Sequence, residues 1–364
     1  MNRTRVLSAV LPGLPQLIGG RTGAGVLSLG VWLAFVGICA TQGSRVMAGV
    51  AGGWDERIAV LTLLGGLVCV WAWSWRDSAH SPARIPGQWV TAVSSFSRNR
   101  IAVAALVALV WIGLLALLTP ILAPGDPFQQ DLTRSHLAPS DVNLLGTDEY
   151  GRDVLTRIMF GARISLTVGL LAVAISVTIG TVLGAIAGFV GGWLDSFIMR
   201  SVDVVISFPR LVLLILVLAF FEGSLFLVVL VLGLTLWPGT ARLVRGEVLS
   251  LREREFVQAA VALGFSKRRI ILRHLIPNAL GPVVVAATLG VGHTMILEAG
   301  LSFLGVGLDS DVPSWGTMIN DGRGEAFGAW WLALFPGVAL VITVLSFNLV
   351  GDGLRDALDP RLRS

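Results

Sequence analysis

Long apolar runs recur along the chain and are separated by short polar stretches. A helix needs about 20 mostly apolar residues to cross the hydrocarbon core of a bilayer. Five runs predict such spans strongly, a sixth is interrupted near its start by Pro209 and Arg210, and two more lie upstream. The pattern predicts an all-α polytopic membrane protein. In chain order the predicted spans are residues 24–40, 58–75, 101–118, 164–189, 204–221, 225–244, 280–301 and 329–350.

The composition supports the same class of protein. Hydrophobic residues make up 54% of the chain and charged residues only 14%, whereas soluble domains carry about 25% charged residues. Cys39 and Cys69 lie inside apolar runs and the four histidines are scattered, so neither a disulfide framework nor a metal site is predicted. No small-residue cleavage site follows the short apolar stretch at the N-terminus, so no cleaved signal peptide is expected.

The basic residues between the runs predict the orientation. With the N-terminus inside, 20 of the 27 Lys and Arg residues fall in inside segments. Positive charge concentrates in cytoplasmic loops, so both termini are predicted to be cytoplasmic. The high isoelectric point could instead indicate a nucleic-acid partner, but the arginines lie between apolar runs, which favours the membrane interpretation. No nucleic-acid partner is expected.

Several glycines lie within the predicted spans, where small residues let helix backbones approach closely in lipid. The same glycines could line a transport path, but close packing is the preferred interpretation. They are Gly169, Gly180, Gly184, Gly188, Gly290 and Gly292.

A short helix is predicted in the basic segment between residues 242 and 277. Phe256, Ala260 and Leu263 recur at helical spacing and predict one apolar stripe. The segment could be a basic amphipathic helix on the membrane surface. That interpretation predicts a wider apolar face and no sharp glycine break. The small alanines favour insertion into a groove of a partner protein.

The end of this short helix and the start of a second one are also marked. Gly264 is a natural C-terminal stop. Ser266 is placed to cap a second helix that runs through Ile276 and is ended by Pro277. The segment therefore predicts a helix, a turn and a second helix between two spans.

This segment resembles the cytoplasmic "EAA" loop of ATP-binding-cassette (ABC) importer permeases. That signature is Glu-Ala-Ala, three residues, glycine, nine residues and Ile-x-Leu-Pro. Here Gln258 stands in place of the glutamate, and His274 and Ile276 stand in place of the Ile and Leu. The residues that keep the frame are Ala259, Ala260, Gly264 and Pro277.

Three further stretches resemble the peptide and nickel permeases of this class, the oligopeptide/dipeptide/nickel permease family. Residues 145–166 resemble the start of the second core span, residues 298–319 the end of the fifth, and residues 348–363 the C-terminal tail. The four matches occur in the family's order and cover about residues 90–364.

The resemblance implies a six-helix ABC importer permease core in residues 90–364, located in the cell inner (plasma) membrane. Residues 1–89 add two transmembrane helices and a linker, whose role could be stabilising, partner-binding or lipid-binding. The implied partners are a sister permease subunit, two ATP-binding subunits, an extracytoplasmic substrate-binding protein and the lipid bilayer. Family members move dipeptides, oligopeptides, nickel complexes or glycan fragments, and peptides are the expected substrates.

The chain is expected to be a transport subunit and not an enzyme. A phosphate-binding P-loop needs a lysine followed by serine or threonine, and the only lysine, Lys267, precedes Arg268. No cofactor is expected on this chain, while ATP and Mg²⁺ are expected on partner subunits.

The short helix, residues 253–263, is hypothesised to be the coupling helix that sits in a cleft of an ATP-binding subunit. Nucleotide-driven closure would move it and tilt the flanking spans, so that the cavity faces one side and then the other. The residues expected to take part in coupling are Glu255, Phe256, Gln258, Ala259, Ala260, Leu263, Gly264, Lys267 and Pro277.

Other polar residues have two interpretations each. Glu298 and His293, in the fifth core span, could contact substrate or make interhelical hydrogen bonds at the subunit interface. The second interpretation is preferred, because Glu298 belongs to a motif shared by family members with different substrates. Asp148, Arg152 and Asp153 could pair locally and order the long outer loop, or could equally meet the binding protein.

An ATP-independent secondary transporter or channel is the main alternative function. It would need paired ionisable groups near the bilayer midplane or inverted repeats, and neither is recognised. A membrane-embedded enzyme is also disfavoured, since no nucleophile–base or metal constellation occurs at a recognisable spacing.

Overall fold

Long helices make up most of the computed structural model, which describes residues 56–61, 65, 93–221, 224–309, 311–325 and 327–358. Over these residues the regular structure is helical, apart from one antiparallel bridge between Thr147 and Asp153. The main helices are α1 (Arg100–Leu122), α2 (Val154–Val190), α3 (Gly192–Ser207), α4 (Arg210–Leu218), α5 (Leu225–Arg252), α6 (Glu255–Ala262), α7 (Lys267–Ile270), α8 (Ile276–Phe303), α9 (Trp315–Gly322) and α10 (Trp331–Leu358).

Five helical runs are long and apolar enough to cross a membrane: α1, α2, α5, the continuous run Lys267–Phe303, and α10. The bent pair of α3 and α4 makes a sixth if it is counted as one span. The prediction of an all-helical, multi-pass membrane protein is confirmed for the described residues. The predicted span 24–40 lies outside them, as does most of span 58–75, of which residues 58–61 and 65 are helical.

The predicted span 204–221 is broken at the interruption that the sequence predicts, at Pro209 and Arg210. α3 ends at Ser207, α4 begins at Arg210, and the two helices are bent by 82° relative to each other. Pro209 explains the break, because a proline ring disfavours helical backbone at the residue before it. That residue, Phe208, is extended, with φ −84° and ψ 134°.

α2 begins at Val154, well before the predicted span 164–189. Asp153 caps it by accepting a hydrogen bond from the Thr156 N–H at 2.8 Å. The 37 residues of α2 extend about 55 Å, whereas the hydrocarbon core is about 30 Å thick. Its ends can therefore reach segments that lie outside the lipid.

The most extensive helix contact, between α2 and α5, is built on small residues. A Cβ atom added at Gly180 would lie 2.6 Å from Thr240 Cβ, and one at Gly184 would overlap the Ala241 carbonyl oxygen. Gly188 continues the same row with similarly little space. The close-packing interpretation is therefore confirmed for these three glycines.

The apolar core lies where α2, α5 and α8 meet, with Val168, Leu232 and Leu301 fully buried. A second cluster joins α2 and α8 to α9 and α10, and it includes Met295 and Trp315. Many exposed apolar side chains lie on the outer surfaces of the bundle, as helices that face lipid require.

Candidate functional site

The short helix α6 is packed across one end of the bundle by its inner face. Val257 and Ala260 are its buried residues. They share an apolar cluster with Ala185 near the end of α2, Val248 of α5 and Ile270 of α7. α6 is therefore anchored to the ends of several helices and is not a free surface helix.

The predicted stripe of Phe256, Ala260 and Leu263 is divided between two faces of α6. Ala260 is buried, whereas Phe256 is 42% and Leu263 is 72% exposed. Val257, and not Phe256, enters the cluster beside Ala260. Residues 256, 259 and 263 then follow the i, i+3, i+7 spacing of the opposite face. We call Phe256, Ala259 and Leu263 the outward face.

Polar side chains rim this outward face. Gln258 is exposed, and its Nε2 donates a hydrogen bond to the Glu253 carbonyl at 3.1 Å, which bridges the turn between α5 and α6. Glu255 and Lys267 are exposed on either side of the turn region. An exposed apolar surface with a polar rim is typical of a protein interaction site.

Gly264 ends α6 in the left-handed conformation, with φ +74°. The Phe265 N–H donates to the Ala260 carbonyl at 3.1 Å, and the Gly264 N–H donates to the Val261 carbonyl at 2.9 Å. This pair of bonds defines a Schellman motif, so the predicted glycine stop is confirmed. A Cβ on Gly264 would meet open space, so only backbone strain opposes a side chain there.

The second predicted helix does not end at Pro277, so that prediction is wrong. Ser266 caps α7 as predicted, but the chain continues through a π-helical segment, Ile271–Leu275, directly into α8. A π turn has one more residue than an α turn, and this gives room for the Pro277 ring, which would clash with the carbonyl four residues earlier in a regular helix. The segment after α6 is therefore connected to a membrane span by continuous helix.

At the opposite end of α2, a buried carboxylate organises the preceding loop. Asp148 Oδ2 lies 2.6 Å from Arg152 Nε and 2.5 Å from Arg157 Nη1. Its Oδ1 accepts the backbone N–H groups of Tyr150 and Arg152. Local pairing, one of the two interpretations of this loop, is thus present for Asp148 and Arg152. Contact with a binding protein stays a prediction.

Arg157 is absent from the residues predicted above, although a lone arginine in the first turn of an apolar helix is a signal that could have found it. Its Nη2 also lies 3.7 Å from Asp321 Oδ2 on α9. Burial raises the pKa of Asp321, and the nearby Arg157 and Arg152 partly oppose that rise. We call Asp148, Arg152, Arg157 and Asp321 the loop cluster. It fixes α9 against the start of α2.

Asp153 has a different structural role from Asp148. Its Oδ2 caps α2, and its Oδ1 accepts a hydrogen bond from Asn143 Nδ2 at 2.9 Å. Gly151, with φ +72°, makes the turn between the two aspartates, and a Cβ there would overlap the Asp131 carbonyl. The loop is therefore an ordered structure held by specific contacts.

Glu298 is buried at the junction of α2, α8 and α9. Its Oε1 accepts hydrogen bonds from the hydroxyls of Ser302 and Ser314, each at 3.0 Å. Its Oε2 lies 3.4 Å from Ser165 Oγ. Ser314 also caps α9. Interhelical hydrogen bonding, the preferred interpretation, is therefore observed within this chain, and a role at a subunit interface stays a prediction.

His293 points away from Glu298 and is exposed. Its Nε2 lies 3.2 Å from Arg210 Nη1, at the start of α4. Glu298 and His293, which the sequence analysis treated together, therefore lie in different surroundings. Among the described residues, no group of three or more His, Cys, Asp and Glu side chains could hold a metal ion.

The comparisons with known proteins agree with this architecture. Residues 180–364 match the family described as binding-protein-dependent transport system inner membrane component. The chain belongs to this family. Residues 87–139 also match the N-terminal transmembrane domain of oligopeptide transport permease C.

Peptide permeases from several bacteria are similar to this chain over most of their own length. The dipeptide transport system permease protein DppC of Alkalihalophilus pseudofirmus is 41% identical over 276 residues, which cover 76% of this chain and 91% of that protein. The oligopeptide transport system permease protein OppC of Escherichia coli K12 is 45% identical over 277 residues, which cover 76% of this chain and 92% of that protein. The DppC protein of Bacillus subtilis is 42% identical over 267 residues, which cover 73% of this chain and 83% of that protein.

Proposed function

We propose that this chain is the membrane-spanning subunit of an ATP-driven importer of dipeptides and oligopeptides and forms half of the translocation pathway. The similarity to dipeptide and oligopeptide permeases, at 41–45% identity over about three quarters of the chain, supports the substrate class. The observation that carries the coupling mechanism is the outward face of α6. This face is apolar and exposed, and the opposite side of the same short helix is anchored in the bundle.

The proposed complex contains a sister permease subunit, two ATP-binding subunits and an extracytoplasmic substrate-binding protein. ATP and Mg²⁺ belong to the ATP-binding subunits, because Lys267 is followed by Arg268 and cannot complete a P-loop. This chain binds, positions and releases substrate by changing shape and performs no bond chemistry.

Coupling passes from α6 into two membrane spans. Only Glu253 and Arg254 separate α5 from α6, and the Arg254 N–H donates to the Leu251 carbonyl at 3.0 Å. On the other side, α7 continues through the π segment into α8. When the ATP-binding subunits close, an α6 held in their cleft moves with them and displaces the ends of α5 and α8.

The proposed topology has six core spans in residues 90–364, with the bent pair α3–α4 counted as one, and two further spans in residues 1–89. Both termini are placed in the cytoplasm. The distribution of Lys and Arg residues supports this orientation, which puts α6 on the cytoplasmic side and the loop cluster on the outer side.

The test is ATP-dependent uptake of a labelled tripeptide by proteoliposomes that contain the complete complex. A carboxylate on the outward face should weaken docking, since it places a charge in an apolar contact. Leu263→Asp is therefore expected to lower both uptake and the amount of ATP-binding subunit that co-purifies with the chain, by about 10-fold or more.

The matched control is Val142→Asp, at a residue of the outer loop that is 77% exposed. It introduces the same charge at the opposite end of the bundle and is expected to leave co-purification unchanged. Equal co-purification of the ATP-binding subunits with Leu263→Asp and wild type would contradict docking on α6. Uptake of peptide by the wild-type complex in the absence of ATP would contradict the importer itself.

A further inference from the structure

Arg210 is a cation at the start of an otherwise apolar helix. The remaining residues of α4, Leu211 to Leu218, are all apolar. Within the hydrocarbon region an arginine is costly to insert, so such residues face protein or water. The partner that the structure gives Arg210 is His293.

His293 lies well inside a span and not at its end. It is ten residues before the end of α8 at Phe303, which corresponds to about 15 Å along the helix. α3 and α4 are bent apart at Phe208 and Pro209, which places Arg210 at the corner of the bend and beside α8. The bend therefore places the guanidinium of Arg210, at the start of α4, beside the middle of α8.

The contact between Arg210 and His293 determines which of their N–H groups remain available to bind another molecule. A guanidinium can only donate, so Nε2 of His293 accepts from Arg210 Nη1 and the imidazole is neutral, with its proton on Nδ1. The guanidinium keeps further N–H groups for another acceptor. Among the described residues, no carboxylate forms an ion pair with Arg210. Arg245, in contrast, is paired by two hydrogen bonds to Asp195.

The surface around this pair is open in the single chain. Arg210 and His293 are both exposed, and so are Ile296 and Phe303, which follow His293 on the same side of α8. An open surface that combines an unneutralised guanidinium with apolar side chains suits a small molecule with one carboxylate and an apolar body.

We propose that Arg210 binds a carboxylate of the transported peptide during its passage and that His293 positions the guanidinium by accepting one of its N–H groups. The proposal rests on the peptide importer function proposed above and names the substrate group that this surface recognises. A planar guanidinium can hold a carboxylate with two parallel hydrogen bonds, which a carboxamide cannot reproduce with the same charge.

The test compares two labelled tripeptides that differ only at the C-terminus, one with a free carboxylate and one with a carboxamide. Uptake by the complete complex is measured for wild type, Arg210→Gln and Arg210→Lys. The same binding protein serves every variant, so its own preference cancels when the acid-to-amide ratio of uptake is compared between variants. Arg210→Gln is expected to lower that ratio about 10-fold, as loss of a charge-assisted hydrogen-bond pair would.

Arg210→Lys keeps the charge but loses the planar fork, so it is expected to give an intermediate ratio. His293→Gln retains an acceptor, so its acid-to-amide ratio is expected to stay close to that of wild type. His293→Leu loses the acceptor, so its ratio should fall towards that of Arg210→Gln. Arg200→Gln is the control, because Arg200 is another exposed arginine of the bent pair. It is expected to leave the ratio unchanged.

An unchanged ratio in Arg210→Gln, or an equal loss for both tripeptides, would overturn the proposal. If Arg210→Gln fails to assemble and Arg210→Lys assembles with a wild-type ratio, Arg210 serves the contact with the sister subunit and the proposal is wrong. Equilibrium binding of both tripeptides to the purified complex, without binding protein, separates this proposal from the transport function. Wild type should bind the acid more tightly than the amide even if its uptake does not depend on ATP.

Discussion

At the scale of single residues, Gly264 and Asp148 are constrained for opposite reasons. Gly264 has open space around it but a backbone conformation that side chains disfavour. Asp148 has an ordinary backbone but a buried side chain that forms ion pairs with two arginines. Replacements at the two positions should therefore affect different properties, namely coupling in one case and stability in the other.

Gly264→Val should uncouple ATP hydrolysis from transport while membrane insertion stays intact. A β-branched residue in the left-handed region costs about 1–2 kcal/mol or more, so the Schellman turn at the end of α6 should be displaced. The measurement is the ratio of peptide transported to ATP hydrolysed in proteoliposomes. Gly264→Asn is the control, because asparagine tolerates this conformation. Transport by Gly264→Val at the wild-type ratio would count strongly against the role of the turn.

Asp148→Asn should lower the stability of the purified chain by about 3–5 kcal/mol, because two buried arginines lose their carboxylate. The measurement is denaturant unfolding in detergent, with Asp141→Asn as the control because Asp141 is exposed. A loss of less than about 1 kcal/mol, within the range of surface ion pairs, would show that the loop cluster does not hold the loop.

Asp321 should behave differently from Asp148 in the same cluster. Burial raises the pKa of Asp321 above its ordinary value of 3.8, so the folded chain holds that proton more tightly than the unfolded chain does. The contribution of Asp321 to stability therefore falls as pH rises from about 3.8 through the raised pKa. Asp321→Asn should remove this decline and should not destabilise the chain at neutral pH. A loss as large as that of Asp148→Asn would contradict this account.

The residue scale is also where prediction from sequence is weakest. Gly264 could be predicted, because a glycine after a helical stripe has one common backbone role. The burial of Val257 could not, because it depends on which neighbours pack against α6. Arg157 could have been noticed as a charge in the first turn of an apolar helix, but its contact with Asp321 depends on how α9 returns to α2. Interhelical hydrogen bonding by Glu298 was the preferred interpretation, but its partners Ser165 and Ser314 are far from it in the chain and could not be identified from the sequence.

At the scale of elements, the contact between α2 and α5 depends on the glycine row. Gly184→Ala should destabilise the chain by about 1–3 kcal/mol, because its Cβ would overlap the Ala241 carbonyl and a packed contact cannot absorb it. Gly246→Ala, in α5 with no atom near its added Cβ, is the matched control. It should be neutral or gain up to about 1 kcal/mol from helix propensity. Equal effects of the two variants would contradict the packing role.

A helix could be predicted from the sequence where a long apolar run alone determines it. The five long spans follow from composition, since backbone groups in lipid must be satisfied within a helix. The interruption at Pro209 was predicted, but the 82° bend there and the continuation past Pro277 were not. One proline breaks a helix and the other is accommodated by a π segment, and the difference lies in the backbone hydrogen bonding of the preceding turn.

At the scale of the whole molecule, the two ends of α2 carry two structures with different properties. One end has the loop cluster, whose charged side chains are largely buried and paired with one another. The other end has α6, whose outward face is exposed and has no partner among the described residues. This asymmetry matches a subunit that receives force at one end and keeps a fixed shape at the other.

Site-specific cross-linking along α6 tests the central claim most directly. A photoreactive residue is placed singly at 256, 257, 259, 260 and 263 in the assembled transporter, and products that contain the ATP-binding subunit are measured. The outward positions 256, 259 and 263 are expected to cross-link, and the buried positions 257 and 260 are not. No cross-link at any position, or equal cross-linking from both faces, would contradict docking of the ATP-binding subunit on α6.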